Sequence, residues 1–337
     1  MKPTKFAKYL TEFFTLYLSG QKNVSKNTIY SYRDTFKLLL NFCQQEKNIA
    51  IEKINIETLT AKLIKEFLAW LESKRKCSAI TRNQRLASIH SFFRYIQSEE
   101  PSGLYHYQQI ISIPMKKSEG KLVNHLSPEA IKLILNQPDT TIKKGRRDLT
   151  LLSVLYDTGA RVQEIIDLKV EDMILDTPPI IVLTGKGNKM RRVPLMKNTV
   201  VLLQTYLKEH DLNNQWKKQY PVFINNQQNK LTKEGVAYIL KKYAKKARED
   251  SLEVPEHISP HMLRHSKAMH LLRAGVNLIY IRDFLGHAEI KTTEVYAKAD
   301  TETKRLAIEN AYPDLISSNL PDWNKDGELI SWLSALK

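Results

Sequence analysis

Residues 259–265 of the chain read Ser259-Pro260-His261-Met262-Leu263-Arg264-His265. Ser259 is a favourable N-cap and Pro260 a favourable first helical residue, so this stretch predicts the start of a helix. His261 and Arg264 then lie three residues apart on one face of its first turn. Because a helix N-terminus already favours an anion, a histidine and an arginine there predict a phosphate-binding site. The alternative, a zinc site from His261 and His265, is disfavoured because no glutamate follows His261 and neither cysteine is near in sequence.

Two other segments carry side chains suited to the same chemistry. Gly159 is predicted to end one helix, and Arg161 lies where the next begins, one turn before Glu164, which can orient it. Downstream, Leu285-Gly286-His287 is followed nine residues later by Tyr296. Each piece alone is a weak signal, since arginine–glutamate pairs are common on helix surfaces and a lone tyrosine is usually a packing or surface residue.

A hairpin with a basic tip is predicted between these segments. Ile180–Thr184 is a run of β-branched and aliphatic residues typical of a strand, and a return strand is expected through Val193. The connection, Gly185-Lys186-Gly187-Asn188-Lys189, places two lysines at the turn. The residues alone do not choose between Lys186 and Lys189 as the functional lysine.

The charge balance predicts a polyanionic partner. The 337-residue chain has 52 Lys+Arg against 36 Asp+Glu, a formal net charge of +16. Neutralising phosphates with such side chains releases condensed counterions, which favours binding to nucleic acid. An anionic membrane is the competing partner, but the basic residues are spread along the chain rather than gathered on one amphipathic helix. A solvated basic surface without a partner is the other alternative.

Length and composition predict a soluble globular protein of two domains. Hydrophobic residues make up 42% of the chain and charged residues 26%, which argues against disorder. No apolar run is long enough to span a bilayer, and the first residues lack the apolar core of a signal peptide, so a cytoplasmic location is expected. Cys43 and Cys77 form no close pair and are expected to be reduced thiols.

The first domain is expected to be a helical bundle in residues 1–113. Apolar residues at helical spacing predict four amphipathic helices, at Phe6–Tyr17, Thr28–Phe42, Leu59–Leu71 and Thr81–Ile96. Exposed basic side chains of this domain, of the following segment and of the hairpin are candidate phosphate contacts, although any one is more often a solvated surface charge. These candidates are Lys26, Arg33, Arg82, Arg85, Arg94, Lys116, Lys117 and Lys189.

A basic linker and a mixed second domain are expected to follow. Residues 114–125 have few apolar anchors and predict the linker. The second domain, 126–337, begins with a helix at Ser127-Pro128-Glu129 and contains the hairpin. Its other predicted helices lie at 147–156, 232–248, 260–274, 277–285 and 290–297.

In this order, the motifs resemble the catalytic set of the tyrosine recombinase (phage integrase) family. The matching stretches are Thr158–Arg161, Gly185–Lys189, Pro260–His265, Leu285–His287 and the segment ending at Tyr296. The resemblance runs from about residue 126 to 300, and the first domain matches by helical pattern alone. It implies a mainly α fold with a small antiparallel β-sheet, in which a SAM-like core-binding domain and an α+β catalytic domain form a C-shaped clamp on DNA.

The resemblance also implies a function and a set of site residues. The implied enzyme is a site-specific DNA recombinase that cuts and rejoins strands through a 3′-phosphotyrosine and a Holliday junction. Its catalytic residues are Arg161, Lys186, His261, Arg264, His287 and Tyr296, with Glu164 in support. The tyrosine is the nucleophile, the arginines clamp the phosphate, the lysine protonates the departing 5′ oxygen, the first histidine assists proton transfer at the nucleophile and the second donates to the phosphate. The covalent link keeps the energy of the broken bond, and neither a nucleotide-binding loop nor a metal-binding carboxylate cluster is apparent, so no cofactor is expected.

Two other functions remain open at this point. A type IB-like topoisomerase uses the same chemistry to relax one duplex, and a catalytically silent architectural protein would bind DNA without cutting it. The compact two-domain layout and the stretch from His287 to Tyr296 favour the recombinase, and all expected catalytic positions are filled, which disfavours the silent protein.

The expected partner is double-stranded DNA with short inverted-repeat sites. The recombinase is expected to act as a homotetramer on synapsed DNA, in association with the nucleoid, in integration and excision or in resolution of a mobile element or replicon. Leu329, Trp332, Leu333 and Leu336 form an apolar stripe that predicts a tail helix at about 326–337. This helix either folds back on its own domain or docks in trans on a neighbouring protomer.

Overall fold

The computed structural model describes residues 3–117, 124–287 and 289–299, together with residue 335. The chain divides into two compact units, Met1–Lys121 and Leu122–Lys337. Each unit has its own hydrophobic core, as expected of separate domains. The boundary falls within 114–125, where the sequence predicts a linker. The predicted tail helix, residue 335 apart, lies outside the described residues.

The first unit is a helical bundle in which most of the α-helices begin at side-chain caps. Ser25, Thr60 and Ser78 each precede a helix and accept a hydrogen bond from the backbone N–H three residues further on, which satisfies a donor that the helix itself leaves unpaired. Aromatic rings fill its centre, where Phe13 and Phe92 pack edge to face at 5.3 Å. The helices are α1 Lys5–Glu12, continued by a π-helical segment Phe13–Gln21, then α2 Lys26–Lys47, α3 Ala61–Ser73, α4 Ala79–Glu99 and α5 Leu104–Ile111.

The C-terminal side of this bundle differs from the sequence prediction. A fifth helix, α5, follows the four predicted ones, and its eight residues are too few to give a clear apolar period. Tyr107 and Ile110 bury it in the bundle. The chain beyond stays with this unit, because the side-chain amide of Asn83 donates to the carbonyl of Lys116 at 2.7 Å and accepts from its backbone N–H at 2.9 Å. The first residues of the predicted linker are therefore held to α4.

The second unit combines α-helices with one three-stranded antiparallel sheet of order β1-β2-β3. Its described helices are α6 Pro128–Leu135, α7 Lys143–Thr158, α8 Val162–Asp167, α9 Lys197–Glu209, α10 Lys233–Asp250, α11 Pro260–Arg273, α12 Leu278–Leu285 and α13 Lys291–Ala299. The strands are β1 Met173–Ile174, β2 Ile180–Thr184 and β3 Met190–Pro194. The predicted fold class, mainly α with a small antiparallel sheet, is confirmed. The helix that was expected to begin at Arg161 is α8, whereas α9 was not predicted.

The hairpin formed by β2 and β3 turns one face to the core. Ile181 pairs with Val193 and Leu183 pairs with Arg191. Ile181, Leu183 and Val193 are fully buried, as the alternation of side chains in a strand requires. Arg191 shares the face of Val193, so this hairpin carries a charged side chain inward beside its tip.

Tyr296 belongs to a small apolar cluster, separate from the main core of the second unit. It packs with Ala268 and Met269 of α11 and with Ile281 and Leu285 of α12. Helices α11, α12 and α13 therefore meet around the tyrosine. Within the part of the chain that the structure describes, no helix is long and apolar enough to cross a membrane.

Candidate active site

Arg161 is held at the junction of α7 and α8. Gly159 ends α7 with a left-handed φ of +57°, which glycine adopts without steric strain, and Arg161 is the N-cap residue of α8. The carboxylate of Glu164 accepts from the backbone N–H of Arg161 and from its guanidinium Nη1, both at 2.8 Å. This pair of contacts orients the arginine from within its own helix, while 36% of its side chain stays exposed.

The C-terminus of α12 gathers three guanidinium groups. Arg191 donates to the carbonyl of Phe284 at 2.9 Å, Arg264 to that of Leu285 at 2.7 Å and Arg161 to that of Gly286 at 3.4 Å. These are consecutive carbonyls at the negative end of the helix dipole, where cations are favoured. One helix end thus brings together basic residues from α8, β3 and α11.

Gly286 makes this arrangement possible. It closes α12 with a φ of +66°, and the backbone N–H of His287 donates back to the carbonyl of Arg282 at 3.0 Å, as in a glycine-terminated helix. A Cβ atom on Gly286 would lie 2.9 Å from Cδ of Arg191. The glycine therefore provides both the turn and the space for the arginine.

Arg264 is the most enclosed of the site's charged residues, with 1% of its surface exposed. Besides Leu285, its guanidinium donates to the carbonyl of Gly159 at 2.7 Å, so it ties the end of α7 to the end of α12. Burial first, and then the charge of Arg161, lower its pKa to about 10. At neutral pH it still carries its positive charge.

The hydroxyl of Tyr296 is hydrogen-bonded to His265, with 2.8 Å between Oη and Nδ1. The imidazoles of His261 and His265 pack edge to face, with their ring centres 4.7 Å apart. Ser259 occupies the predicted N-cap position of α11, although its side chain makes no capping bond. Of the two histidines in the opening motif, His265 is the one in contact with the tyrosine.

His287 is oriented by a hydroxyl on the tyrosine's own helix. Its Nδ1 lies 2.8 Å from Oγ1 of the buried Thr293, so Nε2 is the ring nitrogen left for another partner. Its ring lies 6.3 Å from that of Tyr296 and nearly parallel to it. Thr293 therefore fixes the histidine relative to the tyrosine.

The electrostatics of the site favour neutral histidines beside fixed positive charges. Burial first, and then neighbouring cationic groups, lower the pKa of both His265 and His287 to about 4. Burial raises the pKa of Tyr296, while Arg264 and Arg161 oppose that rise. At pH 7 the tyrosine is therefore protonated, and its neighbour His265 is a neutral imidazole that can accept a proton.

The site residues line two neighbouring depressions, a cavity and a wider cleft. A cavity of about 270 Å³ is lined by residues that include Arg161, His261, Arg264, His265, His287 and Tyr296. A wider cleft of about 890 Å³ shares Arg161 and His287 and extends to the hairpin tip at Gly185, Gly187 and Lys189. The structure thus brings five of the six predicted catalytic side chains to one cavity. The backbone of Lys186 lies in the hairpin turn, but its side chain lies outside the described part of the chain.

Several predicted DNA contacts have partners inside the first unit. Arg85 donates to the carbonyl of Ser31 at 2.9 Å, and Arg82 donates to that of Pro114 at 3.2 Å. Ion pairs join Arg33 to Asp34 at 3.2 Å and Lys116 to Glu72 at 2.7 Å. Lys26, Arg94, Lys117 and the hairpin residue Lys189 are exposed. Arg85 and Arg82 therefore have structural roles that a sequence pattern does not reveal.

Sequence reasoning missed three residues of the site. His265 was considered only as half of a zinc pair, and its spacing of one helical turn from His261 was the available signal. Thr293 gave no signal in the sequence, since it is three residues from Tyr296 in an ordinary helix. Arg191 was not considered, although its alternation with Val193 on the return strand is a signal that it faces inward. Among the described residues, no cluster of three or more His, Cys, Asp or Glu side chains is placed to hold a metal ion.

Comparison with protein families shows which family shares these residues and this fold. Residues 124–303, more than half of the chain, match the phage integrase family. The chain belongs to the phage integrase family. Residues 11–100 of this integrase match the family's N-terminal SAM-like domain. The predicted tyrosine recombinase family and its enzyme class, a site-specific DNA recombinase, are confirmed.

Relatives of this recombinase cover nearly its whole length. The y4rC protein of Sinorhizobium fredii, named as an integrase/recombinase, is 35% identical over 337 residues and covers 99% of both chains. The tyrosine recombinase XerD of Listeria monocytogenes is 32% identical over 305 residues, which are 90% of this chain and 97% of the relative.

Solved structures share the fold at lower identity. XerH bound to its palindromic difH substrate has a TM-score of 0.69 at 24% identity, over 86% of this chain and 81% of XerH. The Tn1549 transposon integrase in complex with transposon right-end DNA also has a TM-score of 0.69, at 17% identity, over 89% and 98% of the two chains. Both neighbours were solved in complex with DNA.

Proposed function

We propose that Tyr296 attacks a DNA backbone phosphate and that Arg161, Lys186, His261, Arg264 and His287 support the reaction. The phenol oxygen forms a bond to phosphorus, the bond to the 5′ oxygen breaks, and the chain is left joined to the 3′ phosphate. The observation that carries the proposal is the single cavity of about 270 Å³ that Tyr296 shares with both arginines and the histidines. Attack by the 5′ hydroxyl of another strand reverses the step and rejoins the DNA.

The two arginines have different parts in binding the phosphate. Negative charge spreads over the non-bridging oxygens as the nucleophile approaches, and fixed guanidinium groups stabilise it without having to reorganise. Arg161 is one-third exposed and borders both depressions, so it is the arginine that an entering phosphate meets first. Arg264 is buried against two carbonyls and acts as a fixed charge behind it. His287 donates to the phosphate from Nε2.

His265 is the proposed acceptor of the proton that Tyr296 loses. Its Nδ1 is 2.8 Å from the phenol oxygen, within the distance that general-base catalysis needs. A pKa of about 4 makes it a weak base in the free protein, but its imidazolium becomes more favourable once an anionic phosphate lies in the cavity. His261, the histidine that the family resemblance places at this step, packs on His265 and assists through it.

Departure of the 5′ oxygen requires a proton from the opposite side. Lys186, at the tip of the hairpin, is the proposed general acid, as the family motif indicates. The cleft of about 890 Å³ reaches from Arg161 to the hairpin tip, which gives the departing strand a path past this turn. Lys189 lines the same cleft and is the alternative donor.

A nicked recombination site tests the nucleophile. The short strand released by cleavage diffuses away, so the covalent intermediate accumulates and runs as a protein–DNA band on a denaturing gel. DNA flanking the gene is the substrate to use. The native protein should form the band and Tyr296→Phe should not. Tyr280→Phe, at an exposed position of α12, is the matched control and should form it; an undiminished band with Tyr296→Phe refutes the proposal.

The proposed biological setting is recombination between short inverted-repeat sites by a homotetramer in the cytoplasm, on nucleoid DNA. Its support is family membership and the named activities of the relatives, which fit integration and excision of a mobile element or resolution of a replicon. The tail helix at about 326–337 is proposed to dock on a neighbouring protomer, and the two units to close on DNA as a clamp. Deleting residues 322–337 should then weaken synapsis and spare binding to a single site, whereas unchanged synapsis contradicts trans docking.

Assays of recombination and of DNA relaxation distinguish the proposed recombinase from its main alternative, a topoisomerase. Two linear DNAs of different length that each carry a site should give recombinant joints with the native protein. Relaxation of supercoiled DNA without recombinant joints would assign the chain to the topoisomerase reaction instead.

A further inference from the structure

We propose that Arg191 is a positioning residue for strand cleavage, which holds Glu164 so that Arg161 keeps a free guanidinium edge for the scissile phosphate. The inference deepens the proposed function and rests on it, since it concerns how the same cavity is prepared for DNA. Arg191 is not one of the catalytic residues that the family resemblance implies. Its contacts, its burial and the glycines around it carry the assignment.

Every nitrogen of the Arg191 guanidinium is used. Nη1 donates to Oε1 of Glu164 at 2.9 Å, Nη2 donates to Oε2 at 2.6 Å, and Nε donates to the carbonyl of Phe284 at 2.9 Å. The side chain is 10% exposed. A fork-to-fork pair with a third bond to a helix end fixes both partners in place. Such a group orients its neighbours, and three of its five N–H donors are used within the protein.

Glu164 is shared between two arginines. Its Oε1 accepts from both Arg161 and Arg191, and its Oε2 accepts from Arg191 and from the backbone N–H of Arg161. Its side chain is only 3% exposed, so water contributes little to screening the carboxylate. Two positive groups and one negative group leave a net charge of +1 at the edge of the cavity.

Loss of Arg191 changes this balance. The buried carboxylate of Glu164 would then have Arg161 as its remaining charged partner, and the group would be neutral overall. A carboxylate that competes for the guanidinium of Arg161 opposes binding of a phosphate by the same atoms. Arg191 thus satisfies Glu164 and leaves the exposed side of Arg161 available.

Arg191 also joins the hairpin to the helix end that precedes His287. It lies five residues after Lys186, at the base of the turn, and its contact with Phe284 fixes that base beside α12. Two glycines leave room for the cluster: a Cβ on Gly185 would lie 3.1 Å from Oε1 of Glu164, and one on Gly286 would lie 3.0 Å from Nη1 of Arg191. The base of the hairpin is therefore anchored beside α12.

The test compares Arg191→Met with Arg192→Met in single-turnover cleavage of the nicked site at saturating DNA. Arg192 is the next residue of β3 and is exposed, so it controls for loss of one positive charge from this strand. We expect Arg191→Met to cleave about 10- to 100-fold more slowly, with little change in DNA affinity, because a misplaced catalytic group has effects of this order. Arg192→Met should cleave at close to the native rate. Arg191→Lys keeps the positive charge but lacks the forked guanidinium. Its cleavage rate should lie between those of Arg191→Met and the native protein.

A second substitution distinguishes charge sharing from a purely structural role. Adding Glu164→Gln to Arg191→Met removes the competing carboxylate and should raise the cleavage rate above that of Arg191→Met alone. If Arg191→Met cleaves at the native rate, or if the double variant is no faster than the single one, the inference is wrong. Should Arg191→Met not fold, Arg191→Lys with and without Glu164→Gln gives the same comparison. Failure of the native protein to form the covalent band would refute the proposed function instead.

Discussion

Replacing Gly286 by alanine tests how closely the arginine cluster is fitted to the end of α12. Gly286 has a φ of +66° and a ψ of +46°, a left-handed conformation that costs an L-residue about 1–2 kcal/mol. The new Cβ would also lie 2.9 Å from Cδ and 3.0 Å from Nη1 of Arg191. Because Glu164 and Phe284 hold that side chain at three points, it cannot move aside without losing hydrogen bonds.

Gly275→Ala is the matched control. Gly275 follows α11 with a φ of +80°, and a Cβ there would meet no heavy atom within 4 Å. The free energy of unfolding of Gly275→Ala should fall only by the cost of placing an L-residue in the left-handed conformation, about 1–2 kcal/mol. Gly286→Ala should lose this conformational free energy and also at least one charge-assisted hydrogen bond worth about 1.5–3 kcal/mol. Its total loss of stability should then be about 2.5–5 kcal/mol, more than twice that of the control.

Two measurements on this pair decide the matter. Urea denaturation gives the difference in the free energy of unfolding, and single-turnover cleavage of a nicked site gives the effect on the active site. Gly286→Ala should slow cleavage by about tenfold or more, while Gly275→Ala should leave the rate near native. Equal losses of stability and equal cleavage rates in the two variants would refute the claim that Arg191 needs the space at Gly286.

Three further outcomes follow from the site. His265→Gln should lower the rate of covalent adduct formation about 10²- to 10⁴-fold at unchanged DNA affinity, and by more than His261→Gln does; a larger effect of the His261 variant would assign the proton transfer to His261. The pKa of His265 and His287 is about 4 in the folded chain and near 6.5 in the unfolded chain, so the unfolded state binds more protons between these values. The free energy of unfolding should therefore fall as the pH is lowered from about 6.5 to 4, by at most about 3 kcal/mol per histidine; urea titrations across this range measure it, and a flat profile contradicts the burial of neutral imidazoles. Lys186→Ala should regain cleavage on a substrate with sulfur in place of the departing 5′ oxygen, since that atom leaves without a proton, and rescue of Lys189→Ala instead would identify Lys189 as the acid.

The sequence predicted the chemistry of the site better than its contacts. Arg161, Arg264 and Tyr296 were found because phosphoryl transfer needs fixed charges and a nucleophile, and because their order resembled a family. The hydrogen-bond partner of the tyrosine was not found, because His261 and His265 are one turn apart on the same helix and both face the same direction. Which of the two reaches Tyr296 depends on how α13 packs against α11, and this is a tertiary property.

Arg191 shows a second limit of sequence reasoning. Its role depends on Glu164 from α8 and on the end of α12, which are 27 and 93 residues away along the chain. Strand alternation with Val193 could have placed its side chain inward, but an inward arginine without a known partner does not indicate a function. Most of the larger helices, by contrast, were predicted because apolar periodicity is a local property of the sequence; α9 is the exception.

Mapping the covalent junction tests the central claim most directly. The adduct on a nicked site would be digested with protease and nuclease, and the DNA-linked peptide sequenced by mass spectrometry. The account predicts a phosphodiester between the phenol oxygen of Tyr296 and a DNA 3′ phosphate, with a free hydroxyl on the released 5′ end. A linkage to any other residue, or to a 5′ phosphate, would contradict it.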